Sequence, residues 1–165
     1  MDNEQWLRGQ LISMCHAEIE RVTRYFENKY CRMIPRPAIT FDKRGKCAGQ
    51  ANGREIKLNR DLLFQEGEKF VKRTPGHEAV HHVEACIFGT SNHGHRWQCM
   101  MMDAGLSPER THHYDVSKVQ VCEKKRHTYK CSCRTVELTS IRHNRVVAGK
   151  QEYKCTRCGE RLIAV

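Results

Sequence analysis

The stretch TPGHEAVHHVEACIFGTSNHGHRW, residues 74–97, decides how the rest of the chain is read. His77-Glu78-Ala79-Val80-His81 has the form H-E-x-x-H. On a helix, residues four apart share a face, so His77 and His81 can present two imidazole nitrogens to one ion. Glu78 lies one step round, near enough to act on a metal-activated water but badly aimed for a third ligand. At about 100° per residue, His77, His81, Glu84 and Phe88 cluster on one side. Ala79, Val80, Val83, Cys86 and Ile87 fall opposite, as a core face, and His82 points away from the histidine pair. Thr74 is expected to cap the helix, Pro75 suits its first turn and Gly89 its end.

A catalytic zinc takes three protein ligands and keeps one position open. His93 follows His81 by twelve residues, across the polar turn Gly89-Thr90-Ser91-Asn92 that can fold the chain back over the helix end. It is the first choice for third ligand, with His95 and then Asp103 behind it. The competing interpretation, an amphipathic helix with ordinary surface histidines, leaves the coincidence of caps, apolar face and third histidine unexplained.

Outward from this stretch, 165 residues suit one domain with a small appendage. Charged residues make up 29% and hydrophobic residues 39%, an ordinary globular composition. The N-terminus MDNEQWLRGQ has no basic segment leading into an apolar run, and no stretch reaches the roughly 18 apolar residues of a membrane span. The expectation is therefore a cytoplasmic protein with no membrane partner. In that compartment ten cysteines point to metal rather than to disulfides. Cys15, Cys31, Cys47, Cys86, Cys99 and Cys122 are scattered, and several are expected to be small core residues.

Before the metal stretch, Leu7, Leu11, Cys15, Ile19, Val22 and Phe26 make an apolar stripe along a helix over residues 3–31. Pro35 and Pro37 end it and open an extended segment at 38–41. Residues 46–59 read as a β-hairpin turning at Asn52-Gly53, and Asn59 caps a short helical turn through Leu62 and Leu63. After His93 a second short helix carries Trp97, Met101 and Ala104 on one face and stops at Gly105. The order of elements makes this an α+β protein.

The tail differs. Cys131-x-Cys133 and Cys155-x-x-Cys158-Gly159 each follow a Tyr-Lys pair, and paired thiolates at two knuckles give the tetrahedral sulfur set of structural zinc. The intervening residues are expected to form β-strands. Because C-x-C is tighter than C-x-x-C, His127 or His143 is an alternative to one thiolate. The expected division is a first domain over 1–120, a basic connector over 121–127 containing Lys124-Lys125-Arg126, and a zinc ribbon over 128–165. The formal charge of +10 is uneven: residues 1–103 carry 16 basic against 13 acidic residues, and 104–165 carry 13 against 6. A basic final third points to a polyanion. Tyr129 and Tyr153 beside the knuckles are expected to stack on unpaired bases, which selects single-stranded DNA bound without sequence preference.

Taken together, these residues resemble the SprT family of zinc metalloproteases, whose animal relative is Spartan. The resemblance runs through His77-Glu78-x-x-His81, His93-Gly94 with Trp97, Arg110-Thr111-His112, Arg142-His143-Asn144-Arg145-Val146-Val147 and Tyr153-x-Cys155-x-x-Cys158-Gly159-Glu160. The chain departs from it at Gly76, where the family has proline directly before the first histidine, and at His95. The resemblance implies a compact zincin-like (minigluzincin-type) protease domain with a small C-terminal β zinc ribbon. It implies His77, His81 and His93 as ligands of a catalytic Zn2+ and Glu78 as the catalytic base. It further implies a structural Zn2+ on Cys131, Cys133, Cys155 and Cys158, and hydrolysis of DNA-associated proteins in repair of DNA–protein crosslinks, at the nucleoid in a bacterium. Stabilisation of the oxyanion falls to His95, His112, His113 or Tyr114. Two rival functions are a non-catalytic zinc-containing DNA-binding protein, and an intracellular protease of one regulator acting without DNA.

Overall fold

In a computed structural model, residues 3–117, 119 and 125–165 are described, and the chain divides into two compact units, Met1–Val121 and Cys122–Val165. The first begins with α1, Asn3–Tyr30, whose stripe buries Cys15, Ile19, Val22 and Phe26 while Leu7 stays exposed. Strands β1 (Ala38–Lys43), β2 (Gly49–Ala51) and β3 (Glu55–Asn59) form a mixed sheet in the order β1-β3-β2. β3 is central, parallel to β1 and antiparallel to β2. Its Ile56 and Leu58 are fully buried, as the alternation of apolar and charged residues requires.

The hairpin forms where expected, but its turn is different. Ala51 pairs with Ile56, and the Asn52 side-chain oxygen accepts hydrogen bonds from the amides of Arg54 and Glu55. That local side-chain bond supplies the reversal, so Gly53 needs no left-handed backbone and has none. Asn59 is the cap that its position suggested. Its side chain accepts from the amides of Asp61 and Leu62 at the start of α2 (Arg60–Glu66) and donates to the carbonyls of Gly45 and Cys47.

A short α3 (Glu68–Val71) leads into α4, Thr74–Phe88. Arg73, not Thr74, occupies the cap position. Thr74 is buried inside the helix, with its hydroxyl 2.9 Å from that of Tyr114, because a tertiary partner outcompetes the local cap. Gly89 ends α4 at φ 77°, in the left-handed region. Gly76 packs closely: a Cβ there would lie 2.8 Å from Leu106 and 3.0 Å from a Glu18 carboxylate oxygen, so a larger residue requires those two side chains to shift. α5, His95–Asp103, buries Trp97, Met100 and Met101 beneath α4.

Of the scattered cysteines in the described residues, only Cys15 is a core residue; Cys31 and Cys47 are exposed, Cys86 and Cys99 half-buried, and Cys122 lies outside the described residues. No helix among the described residues is long and apolar enough to cross a membrane.

In the second unit β4 (Arg126–Lys130), β5 (Thr135–Thr139) and β6 (Ile163–Ala164) form a sheet ordered β5-β4-β6. Arg126 and His127 belong to β4, because strand pairing extends to Arg126↔Thr139; residues 121–124 of the expected connector lie outside the described residues. The tail is not all strand. Ser140–Val147 forms α6, ended by Gly149 at φ 66°, with Val146 turned to the small core. Among the described residues that core is Tyr129, Leu138, Cys155 and Leu162, with partly buried neighbours.

His82 is fully buried and bridges two loops, its ring nitrogens each 2.8 Å from a carbonyl, those of Asn52 and Pro35. Replacing it with alanine leaves a cavity and removes the ring that joins these two carbonyls, so His82→Ala should cost about 2–4 kcal/mol. Urea unfolding should show that loss, while metal content at His77, His81 and His93 stays unchanged.

Candidate metal centre

One helical turn separates His77 from His81 on α4, and the loop beyond Gly89 returns His93 to them. The three Nε2 atoms meet: His81 to His93 at 3.0 Å and His93 to His77 at 3.2 Å. His95 and Asp103 stay outside. His95 opens α5 with its ring against Cys99, and Asp103 pairs with Lys29.

The hydrogen bonds settle which nitrogen of His81 is bare. Asn92 N–H and the Ser91 hydroxyl both donate to one oxygen of the Glu84 carboxylate, Ser91 at 2.8 Å. With its proton so used, Ser91 Oγ accepts from His81 Nδ1–H at 2.7 Å, which leaves Nε2 a lone pair. The other Glu84 oxygen accepts from Arg96 at 2.9 Å. Glu84 is 1% exposed, so this buried carboxylate ties the helix, the returning loop and α5 together. The sequence places Glu84 on the histidine side of α4 and carries no further sign of this role.

Beneath the cluster lies the fully buried Trp97 ring, its centroid 4.6–5.2 Å from the three imidazoles. Burial pushes His77 down to about 3 and His81 to about 4, with neighbouring histidines adding to it; His93 is lowered too, first by burial. The rings are neutral at pH 7, as ligands must be. Three imidazole nitrogens this close suit a cation between them, since tetrahedral zinc–nitrogen bonds of about 2.0–2.1 Å place ligand nitrogens about 3.3 Å apart.

Glu78 is 6% exposed and lies under β2. A Cβ on Gly49 would stand 2.6 Å from the Glu78 side chain, so the strand can pass over the carboxyl only with glycine there. Burial raises its pKa to about 8. A cleft of about 590 Å³ opens over this group, with β2 on one wall and Arg110, Thr111 and His112 on another. Among the residues considered for the oxyanion, His112 reaches the cleft but its Nε2–H donates to the Lys46 carbonyl. Tyr114 spends its hydroxyl on Thr74, and His95 and His113 do not line the cleft. Arg110, quoted from the sequence without a role, does line it and donates to the His93 carbonyl at 3.1 Å.

In the second unit Cys131, Cys133, Cys155 and Cys158 bring their sulfurs within 4.8 Å of one another. Cys131 and Cys133 are 3.4 Å apart, and Cys133 and Cys155 3.7 Å. Zinc–sulfur bonds of about 2.3 Å in a tetrahedron separate sulfurs by about 3.8 Å. Backbone amides of Cys158 and Arg157 lower the Cys155 thiol to about 5, towards the thiolate a metal needs. Cys133, hydrogen-bonded to Cys131 and its neighbours, is raised. His127 and His143 replace no thiolate: they stack on each other, centroids 3.6 Å apart, and His143 faces the Tyr129 hydroxyl.

The SprT-like family matches residues 19–118. Proteins called Protein SprT from Escherichia coli K12 and from Shigella boydii serotype 4 (strain Sb227) are each 36% identical over 140 residues, covering 82% of this chain and 83% of theirs. The corresponding protein of Escherichia coli strain SMS-3-5 / SECEC is 37% identical over the same span. No solved structure gives a significant match.

Metal analysis of the reduced protein should find two zinc ions, and Cys155→Ser with Cys158→Ser should leave one. Ser91→Ala removes the acceptor that orients His81, so zinc affinity at the histidines should fall about 10–100-fold in chelator competition without global unfolding.

Proposed function

Because the chain belongs to the SprT-like family, we propose that it is a zinc-dependent metalloendopeptidase that hydrolyses proteins associated with DNA, including those crosslinked to it. The observation that carries the peptidase reading is the meeting of three ring nitrogens beside the buried carboxyl of Glu78, under an edge strand that lines an open cleft. A structural site has no need of a base beside its metal. Zinc held by His77, His81 and His93 supplies Lewis acidity, polarising a substrate carbonyl and acidifying water.

The remaining work falls to the chain. Glu78, held by Gly49 and the helix, takes a proton from the attacking water and passes it to the leaving amine. β2 offers its outer edge to an extended substrate, whose backbone can add as a further strand. Arg110 places a fixed positive charge in the cleft. Trp97 keeps the ligand rings packed from below.

The DNA reading rests on charge. Residues 104–165 carry 13 basic and 6 acidic side chains, and Lys130, Arg145 and Lys154 are exposed. Arg142 lies over the Tyr153 ring at 5.5 Å, a pair suited to phosphate and base contacts. Tyr129 is only 1% exposed and is core, so it is withdrawn as a stacking platform. The proposed partner is single-stranded DNA bound through phosphates, and the proposed setting is the cytoplasm, on the nucleoid of a bacterium.

Casein digestion with and without single-stranded DNA tests both parts. Glu78→Gln should keep its zinc and lose roughly two orders of magnitude in proteolysis. Replacing Lys130, Arg142, Arg145 and Lys154 with glutamate in the full chain should abolish DNA stimulation and leave basal cleavage. An unstimulated but active wild type would point instead to a protease of a specific regulator; a metal-loaded protein with DNA binding and no cleavage would point to a non-catalytic binder.

A further inference from the structure

Beside the metal cleft is a second cavity of about 350 Å³ whose lining includes Lys69, Lys72, Arg73, Met101, Leu106 and Tyr114. Its lining holds three cations and no carboxylate. The ion-pair partners of those cations, Glu66, Glu68 and Glu109, stand outside it. Met101 and Tyr114 are buried and with Leu106 give it an apolar floor. Such a pocket fits a short apolar stem that ends in a negative charge.

Two observations narrow the occupant. First, Arg73 lines both this pocket and the metal cleft. It is the residue before α4, and its carbonyl accepts from the His77 amide, so the wall between the two spaces lies about 5.4 Å, one helical turn, from a metal ligand. An extended peptide advances about 3.3 Å per residue, so a substrate held at the metal brings a side chain there within two or three residues. Second, the Tyr114 ring already has Phe70 stacked at 5.6 Å and His112 at 4.5 Å, and the Lys69 ammonium lies over it at 5.8 Å. A ring with these neighbours, one of them the Lys69 cation, is a poor stacking platform for a nucleobase and places a positive charge at the pocket instead.

We infer that this pocket is a specificity subsite that receives an acidic side chain, glutamate above all, from the polypeptide bound in the metal cleft. The inference rests on the peptidase reading. Lys69 and Lys72 would meet the carboxylate from the rim while Arg73, half withdrawn and fixed to the Thr111 carbonyl, sets its depth.

The test uses the full-length, zinc-loaded protein and quenched peptides that differ only in having Glu, Gln or Lys at one of the three positions either side of the scissile bond. At one position Glu should exceed Lys about tenfold in kcat/KM at low salt, and the ratio should shrink as ionic strength rises. Lys69→Glu with Lys72→Glu should bring that ratio to about one or invert it, with zinc content unchanged. Lys69→Ala with Lys72→Ala should weaken the preference without inverting it. Cleavage with no acidic preference, or with one that survives charge reversal, overturns the subsite alone. So does competition by an oligothymidylate against the Glu peptide but not the Gln peptide, which would make the pocket a polyanion site. Failure to cleave any peptide overturns the peptidase reading itself, a result distinct from the others.

Discussion

The hydrogen-bond chain from Glu84 through Ser91 to His81 is the interaction on which the histidine centre depends. A neutral imidazole has one proton, and where it resides decides which nitrogen is free to bind a metal. The buried Glu84 carboxylate takes the Ser91 proton, Ser91 then takes that of His81, and the bare nitrogen is left facing His77 and His93. The same carboxylate accepts the Asn92 amide and the Arg96 side chain, so the loop that delivers His93 is held by the group that orients His81. Ligand direction and loop position are therefore one constraint.

α4 pays for this by carrying His82 and Glu84 where water cannot satisfy them and by holding Glu78 largely buried at the edge of the cleft. Burial of such groups is tolerable only with partners in place. His82 and Glu84 have theirs in loop carbonyls, a loop amide and Arg96. Glu78 is the exception, with a pKa raised by burial and a strand backbone pressed against it. A largely buried carboxyl at the edge of a cleft, beside three rings that could hold a metal, is suited to moving a proton. Gly49 and Gly76 serve this packing from opposite sides of the helix, each where a Cβ would collide with a neighbour.

The second unit solves a different problem. The four buried hydrophobic residues among the described ones are too few to hold a unit of this size by burial alone. A metal on the four sulfurs would supply the missing free energy, because it binds the folded arrangement and not the open chain. Both knuckles are closed by backbone bonds: Cys131 N–H to the Arg134 carbonyl, and Gly159 N–H to that of Cys155.

Local rules carried much of this fold. The 3.6-residue stripe of α1, the alternation along β3, the Asn59 cap and the Gly89 stop all act within a few residues, and each formed as its chemistry requires. The spacing of His77 and His81 is likewise a property of any helix. What required the tertiary structure was every feature whose partner lies far along the chain. Thr74 gave up capping for Tyr114, forty residues on. Tyr129 went into a small core instead of offering a face, and a helix replaced strand after β5 because Val146 had that core to pack against. The sequence by itself determined the donor atoms and their helical spacing, since these depend on residue type and local geometry. Which imidazole nitrogen is bare, which histidine completes the set and how deeply Glu78 is buried at the cleft were decided only by folding, because each depends on groups that meet through packing.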